Sequence, residues 1–311
     1  MQPRLSGRVA AALLLVLAAT VAACGGGAGY PRARPYRDPG TPTGYPAPGD
    51  AAVTSDGADA AGVLTTDSVQ SLGGAAIKIG TDATYPPMES VDTATGAIVG
   101  FDPDLMQAIC DLVDCVPTFE ATQWEGIFAA LAAREYDALM SSITILPERE
   151  ASGVATFTDP YYSVGQVIVA RADDSAIADV ASLADAVVGV QKETTGDAAA
   201  TEQGGVAEVN MRRFPRIDLA FQALKNGDVD AVVCDDPTAQ RFVGADPGAF
   251  RLAGAPFTQE DYGILVAADR TDLLAAFNTA IAVLKADGTI DALLERWNVG
   301  GPAASGDAAE A

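Results

Sequence analysis

Phe128-Ala-Ala-Leu131-Ala-Ala-Arg134-Glu-Tyr-Asp137-Ala138 recurs without a gap as Phe221-Gln-Ala-Leu224-Lys-Asn-Gly227-Asp-Val-Asp230-Ala231. In both stretches apolar residues at helical spacing lead through a polar turn into a short apolar run, the mark of a helix feeding a strand. Upstream of the first copy, Ile77-Lys78-Ile79-Gly80 reads as a strand that Thr81-Asp82-Ala83-Thr84-Tyr85-Pro86-Pro87 cannot continue. Asp102-Pro103-Asp104 then opens a helix with a capping acid and a proline in its first turn, and Leu105, Met106, Ile109, Leu112 and Val113 form its apolar face. Val116 to Glu120 is the next strand, Trp124 to Arg134 the next helix and Tyr136 to Ser142 the third strand, which completes a βαβαβ unit. Upstream of the second copy, Val187 to Val190 reads as a strand, Gly196 to Gln203 as a helix and Val206 to Val209 as a strand. The chain from Ala76 to about Gly300 is therefore predicted to be α/β, one core built twice.

Superimposing the copies places Ser142 opposite Asp235 and Asp82 opposite Gln191, all at carboxyl ends of parallel strands, where open α/β sheets bind ligands. The first of these strands runs on through Ser141, Ser142 and Thr144 to Arg149, whose nearby acids are Glu148 and Glu150. A guanidinium with hydroxyls beside it suits a small carboxylate, because arginine offers planar paired donors and the hydroxyls adapt to what remains. Two such units facing each other predict a cleft with Asp82, Ser142 and Arg149 on one wall and Gln191, Thr194, Thr195 and Asp235 on the other. Arg149 would take a carboxylate, Asp235 an ammonium group, and Ser142, Thr144 and Thr195 the remaining lone pairs and protons. Thr194-Thr195-Gly196 also opens a helix, whose free N–H groups favour an anion. An α-amino acid has this arrangement of charges.

The amino terminus carries Arg4 and Arg8, an apolar run of about eleven residues from Val9 to Ala19, and small residues before Cys24, the layout of an export signal too short for a membrane span. Val21-Ala22-Ala23-Cys24 resembles the lipobox of bacterial lipoproteins, which implies lipidation of Cys24 after removal of residues 1–23. Residues 24–75 are rich in Gly and Pro and read as a disordered, lipid-anchored linker, with a flexible reach of roughly 40 Å; residues 301–311 read as a disordered tail. The formal net charge is −23, which makes nucleic acid and anionic lipid poor partners. There is no histidine, which excludes Ser-His-Asp and Cys-His catalysis and histidine-based metal sites. In an exported chain the close pair Cys110 and Cys115 is expected to form a disulfide from a helix end to the next strand, leaving Cys234 as a core thiol. No metal or cofactor is expected.

The motifs Ile79-Gly80-Thr81-Asp82, Tyr85-Pro86-Pro87, Gly100 to Leu105, Asp137 to Arg149, Phe157-Thr158-Asp159-Pro160-Tyr161, Val188 to Gly196, Asp230 to Thr238 and Leu284 to Thr289 resemble, in order, those of the extracellular solute-binding proteins for polar amino acids. The resemblance covers Ile77 to Val299. It implies the two-lobed periplasmic-binding-protein architecture (type II, Venus-flytrap), with lobe 1 formed by 76–161 and 269–300 and lobe 2 by 162–268. The crossings would lie near Tyr161 to Gly165 and near Tyr262 to Leu265. It implies roles for Arg149 and Asp235 matching those read from the repeat, aromatic walls at Tyr85 and Trp124, and a cationic side-chain end at Asp82 and Glu89. At Lys192-Glu193 the chain departs from the family, which commonly has a small residue, often Gly, in the second place; Glu193 is expected to face solvent.

The function expected is a monomeric, lipid-anchored receptor on the outer face of the cytoplasmic membrane. It would capture a free L-amino acid, with a cationic one favoured, and deliver it to an ABC permease and its ATPase. A receptor for glutamine or another neutral polar amino acid is one alternative. A cyclohexadienyl dehydratase-like enzyme on the same fold, with Glu193 or Asp236 as proton donor, is another.

Overall fold

The computed structural model describes residues 69–151 and 153–300. The expected leader, Cys24, the linker as far as residue 68 and the tail 301–311 lie outside the described residues. In chain order the first part holds β1 (Ala75–Thr81), β2 (Thr84–Tyr85), β3 (Glu89–Val91), β4 (Ile98–Val99), α1 (Phe101–Val113), β5 (Cys115–Ala121), α2 (Ile127–Ala132), β6 (Ala138–Leu139), α3 (Pro147–Glu150) and β7 (Ala155–Phe157). There follow β8 (Tyr162–Val164), β9 (Gln166–Arg171), β10 (Val188–Gln191), α4 (Thr195–Glu202), β11 (Met211–Phe214), α5 (Ile217–Asn226), β12 (Ala231–Asp235) and α6 (Asp236–Ala245). The last elements are β13 (Phe250–Ala253), β14 (Glu260–Tyr262), β15 (Leu265–Ala267), α7 (Thr271–Ala286) and α8 (Thr289–Trp297).

Two five-stranded sheets share one plan, β5-β1-β6-β15-β7 and β11-β10-β12-β9-β13. Their registers coincide: Ile79 pairs with Ala138 as Val188 pairs with Ala231, both in parallel. Asp82 and Gln191 then lie three residues past these pairs, the equivalence read from the repeat. The fourth strand of each sheet is antiparallel to both neighbours. Each such strand enters from a crossing: β9 follows β8, β15 follows β14, and β8 pairs with β14 between the lobes. Entering from the end where the parallel strands finish, the chain has no other direction to run. Lobe 1 packs α1, α7 and α8 against Ile77 and Ile79 on one face of its sheet, and Ile127 and Leu131 of α2 against Leu139 and Phe157 on the other. Lobe 2 is likewise cored on both faces, by Val188, Val190 and Val233 and by Val232, Phe221 and Leu224. That double burial explains why its strands read as continuous apolar runs.

Several expectations need correction. The linker ends before residue 75, because Val69 and Leu72 pack on the lobe 1 core and the Leu72 and Gly74 N–H groups bond Val113 and Asp114 carbonyls. Residues 265–268 belong to lobe 1, since β15 is hydrogen-bonded between β6 and β7. The strand expected at Val206 to Val209 lies at Met211–Phe214, where exposed Arg212 and Arg213 on a sheet edge hide the apolar signal. Trp124 precedes α2 because Gly126 takes a left-handed conformation at the helix start. Gly100, not Asp102, occupies the cap of α1; Asp102 is buried and bonds elsewhere. Cys110 and Cys115 are joined, tying the end of α1 to the start of β5, and Cys234 is a buried free thiol.

Gly100 has φ +148°, and a Cβ there would lie 2.0 Å from the Met88 carbonyl oxygen. Gly100→Ala is expected to destabilise the protein by at least about 2 kcal/mol, since both backbone strain and a backbone clash oppose it. Chemical denaturation followed by circular dichroism measures the change; an unaltered midpoint would contradict the close approach of β3 and α1.

Candidate functional site

The twelve residues singled out from the sequence, Asp82, Tyr85, Glu89, Trp124, Ser141, Ser142, Thr144, Arg149, Gln191, Thr194, Thr195 and Asp235, line one cleft between the lobes that holds about 340 Å³ of empty space, partly open to solvent. The walls touch. Tyr85 OH donates to Asp235 Oδ2 at 2.5 Å and accepts from the Asp235 N–H at 3.2 Å. Gln191 Nε2 donates to Asp82 Oδ2 at 2.8 Å, Trp124 Nε1 donates to the Glu193 carbonyl at 3.1 Å, and Lys192 Nζ pairs with Glu125 at 2.8 Å near the rim.

Arg149 rises from the one-turn helix α3 with its guanidinium 5.5 Å from the Trp124 ring and 5.3 Å from the Phe128 ring. One of its N–H groups donates to the Thr144 carbonyl at 2.7 Å. Burial draws its pKa down to about 10, while the charges of Asp235 and Glu260 oppose that fall. Asp235, 7% exposed, has its pKa pushed up to about 7 by burial and by the Glu260 charge, with hydrogen bonds from Tyr85 and Gln166 holding it partly back. Neither group makes an ion pair among the described residues, although the Asp235 charge acts on Arg149. A desolvated guanidinium and a desolvated carboxylate thus face one cleft, each lacking a direct counter-charge.

A second group of carboxyls lies at the Asp82 end. Asp82 is 4% exposed, receives Gln191 Nε2 and Thr84 Oγ1, and its pKa is raised by burial. Glu89 does not meet the cleft in the way expected of a partner for a cationic ligand end. Instead it is 1% exposed and its two oxygens accept from the Ser141 and Ser142 hydroxyls, both at 3.0 Å. It holds the serine turn in place. Asp102 lies below it, accepting from the Ser142 N–H at 3.0 Å and Tyr161 OH at 3.1 Å through Oδ2. Burial lifts Asp102 to about 7 and lifts Glu89 far above the usual carboxylate range, the Asp102 charge adding to the latter. Asp102 Oδ1 has no other donor among the described residues, and a proton on Glu89 supplies one.

Thr194 also has a different part from that expected, because its hydroxyl donates to the Gln191 carbonyl and caps α4 by accepting from the Asp197 N–H. Glu193 is turned to solvent beside Lys192, at 3.2 Å, and its φ of +62° is a left-handed conformation that glycine adopts without strain. That backbone position accounts for the family's small residue there. Sequence reading missed Phe128, Gln166, Asp102 and Glu260. Gln166 is a lone amide inside an apolar strand at the foot of a crossing, and it donates to Asp235 Oδ1 at 2.5 Å and Thr195 Oγ1 at 3.1 Å. Its position, directly after Gly165, was the available signal.

Two lobes of one plan, paired crossing strands and a charged cleft between them define a two-lobed α/β binding protein that encloses a small solute. The chain belongs to the bacterial extracellular solute-binding proteins, family 3, which it matches over residues 77–300. It is 34% identical over 226 residues to the ABC transporter arginine-binding protein 1 of Escherichia coli K12, covering 71% of this chain and 90% of that one. It is 30% identical over 228 residues to the lysine/arginine/ornithine-binding periplasmic protein of the same organism, covering 71% and 86%. An ancestral arginine-binding protein, solved with arginine and with glutamine, superimposes with a TM-score of 0.67 at 34% identity in both cases, covering 72% of this chain and 99% or 98% of that one. These relatives are substrate-binding proteins; the chain is a binding protein and not an enzyme.

Glu89 and Asp102 retain protons in the folded protein at pH values where the unfolded chain has released them. Between about pH 4 and 7 the folded state therefore binds more protons, and stability falls as pH rises through that window. Asp102→Asn keeps an acceptor for Ser142 and Tyr161 but cannot titrate, so the loss of stability from about pH 5 to about pH 7.5 should shrink by about 1 kcal/mol or more. Denaturant titrations at the two pH values measure this; an unchanged difference would contradict the proton-sharing pair.

Proposed function

We propose that this protein is a monomeric lipoprotein, anchored through Cys24 to the outer face of the cytoplasmic membrane, that captures a free cationic L-amino acid and hands it to an ABC permease driven by its ATPase. The observation that carries the reading is the pair Arg149 and Asp235, two desolvated groups of opposite charge without an ion-pair partner among the described residues. A zwitterion between them gives each its counter-charge, its carboxylate on Arg149 and its ammonium on Asp235. The preference for a cationic side chain rests on Asp82 at the far end of the cleft, with Tyr85 and Trp124 as walls, and on the arginine- and lysine-binding relatives. Because contacts come from both lobes, the ligand favours the closed state, and only by the free energy of contacts that the open state lacks. Lipid anchoring rests on the Arg4 to Cys24 sequence.

A neutral ligand with a terminal amide is the second reading. Gln191 already places an amide donor on Asp82 at 2.8 Å, which is the contact such a side chain would make. A thermal-shift screen of arginine, lysine, ornithine, cystine and glutamine separates the two, and stabilisation by acidic or aliphatic amino acids alone would overturn both.

Arg149→Ala should weaken binding of the best ligand by roughly 2–5 kcal/mol in calorimetry; parental affinity in that variant would remove Arg149 from the site. The ammonium needs Asp235 ionised, so protons compete with ligand below its pKa of about 7. Affinity is expected to be about tenfold lower at pH 6 than at pH 8, and Asp235→Asn should bind weakly with little of that slope.

A further inference from the structure

Glu260 opens β14, the second crossing strand, and its carboxylate joins two hydroxyls: Thr144 Oγ1 donates to Oε2 and Thr258 Oγ1 to Oε1, both at 2.8 Å. Thr144 is fastened to the same strand by a backbone bridge to Tyr262. A hydroxyl has one proton, and a carboxylate can only accept. Thr144 therefore points its proton at Glu260 and turns lone pairs to the cleft.

Across the cleft, Thr195 Oγ1 lies 3.4 Å from Thr144 Oγ1 and accepts from Gln166 Nε2 at 3.1 Å. The same amide nitrogen donates to Asp235 Oδ1 at 2.5 Å, so turning the Gln166 amide over would set its oxygen against a carboxylate. Its Oε1 is buried without a donor among the described residues, a cost that this orientation carries in exchange for the two bonds made by Nε2. Thr195 accordingly keeps its own proton, which has Thr144 Oγ1 at 3.4 Å as a distant acceptor and which a ligand oxygen in the cleft can take instead. Gln166 and Glu260 are also linked, since the Gln166 N–H donates to Thr258 Oγ1 at 2.8 Å. Two hydroxyls that sequence alone would treat as interchangeable are thus set in opposite senses by partners at the crossings, Gln166 buried and Glu260 half-buried.

We infer that Glu260 is a positioning residue for α-ammonium recognition: it fixes Thr144 as a hydrogen-bond acceptor in the cleft that Asp235 also lines, while Gln166 fixes Thr195 as a donor for the α-carboxylate. The inference rests on the amino-acid reading of this cleft and adds the groups that set its polarity. Its consequence is selective. An α-hydroxy acid lacks the charge and the number of donors that an ammonium offers to Thr144 and Asp235, and a site built to accept those protons rejects it.

The test compares L-arginine and L-glutamine with their α-hydroxy acid counterparts by calorimetry on the parent, Glu260→Gln, Thr144→Val and the double variant, with melting curves recorded for each. An amide at position 260 can donate to Thr144 and release its proton to the cleft, so Glu260→Gln should reduce the preference for the amino acid over its hydroxy acid by about tenfold. In the Thr144→Val background the same change should have no further effect on that ratio, whatever it does to stability. An unchanged ratio in Glu260→Gln, or an equal drop with and without the Thr144 hydroxyl, would overturn the role given to Glu260 while leaving amino-acid binding intact. A parent protein that binds neither amino acid would overturn both readings.

Discussion

A cation and an anion held in one dry cleft, too far apart to pair directly, set the terms for the rest of this molecule. Removing either charge from water is costly, and each is tolerated because the surroundings partly replace water: aromatic faces on Arg149, hydroxyl and amide donors on Asp235. These supports come from different lobes and from the crossings. Tyr85 reaches Asp235 from lobe 1, and Gln166 reaches it from the strand that follows β8. The duplicated plan sets the two walls opposite each other, since Ser142 and Asp235 lie at equivalent places past the paired Ala138 and Ala231 in sheets of equal register, and Arg149 follows Ser142 on the same wall.

The acidic end of the cleft obeys a different rule. Burial opposes the ionisation of Asp82, Glu89 and Asp102 alike, and the charges of Asp102 and Asp82 oppose that of Glu89 further. The cost of three buried negative charges is avoided by keeping protons, with Glu89 the group held furthest from ionisation. That proton lets Glu89 and Asp102 form a neutral-to-anionic pair once Asp102 ionises above about pH 7, and in either state the two anchor Ser141 and Ser142, with Ser142 in a left-handed conformation at φ +51°. One acid of the three, Asp82, lines the cleft without a serine hydroxyl on its carboxylate.

How much of this was legible follows from which interactions are local. Asp235 could be found because the repeated helix–turn–strand units set it opposite Ser142, and Arg149 because it follows the same hydroxyl-bearing segment a few residues on; periodicity survives in a single sequence. The Cys110–Cys115 link was legible for the same reason, as the cysteines flank one tight connection. Gln166 and Glu260 were not, because an amide in an apolar strand and an acid before Asp261-Tyr262 look ordinary until the crossings bring them together. Glu89 stands in the wall that the sequence indicates and also supports the serine turn, a contact the sequence did not reveal because its burial is a tertiary fact, created by α1 and Tyr161 closing beneath it. The displaced strand at Met211–Phe214 shows the opposite failure, where two edge arginines concealed a local pattern.

Closure itself is subject to a balance that these contacts define. Several cross-lobe hydrogen bonds, from Tyr85, Trp124 and Gln191, need no ligand, so the closed form has attractions of its own. Against them stands the desolvation of Arg149 and Asp235, which open lobes would leave hydrated. A zwitterion reverses the sign of that second contribution alone: it converts two unmatched charges into two matched ones while leaving the Tyr85, Trp124 and Gln191 contacts as they are. Ligand and protein contacts therefore divide the labour, the latter keeping the closed state within reach and the former deciding its population. Stronger rim contacts would blunt that decision, because a cleft that shuts without its ligand must open before it can bind one. The exposure of the Lys192–Glu125 pair at the rim, with side chains 41% and 60% accessible, keeps its contribution small. The control of closure is thereby left to the buried charges at the centre.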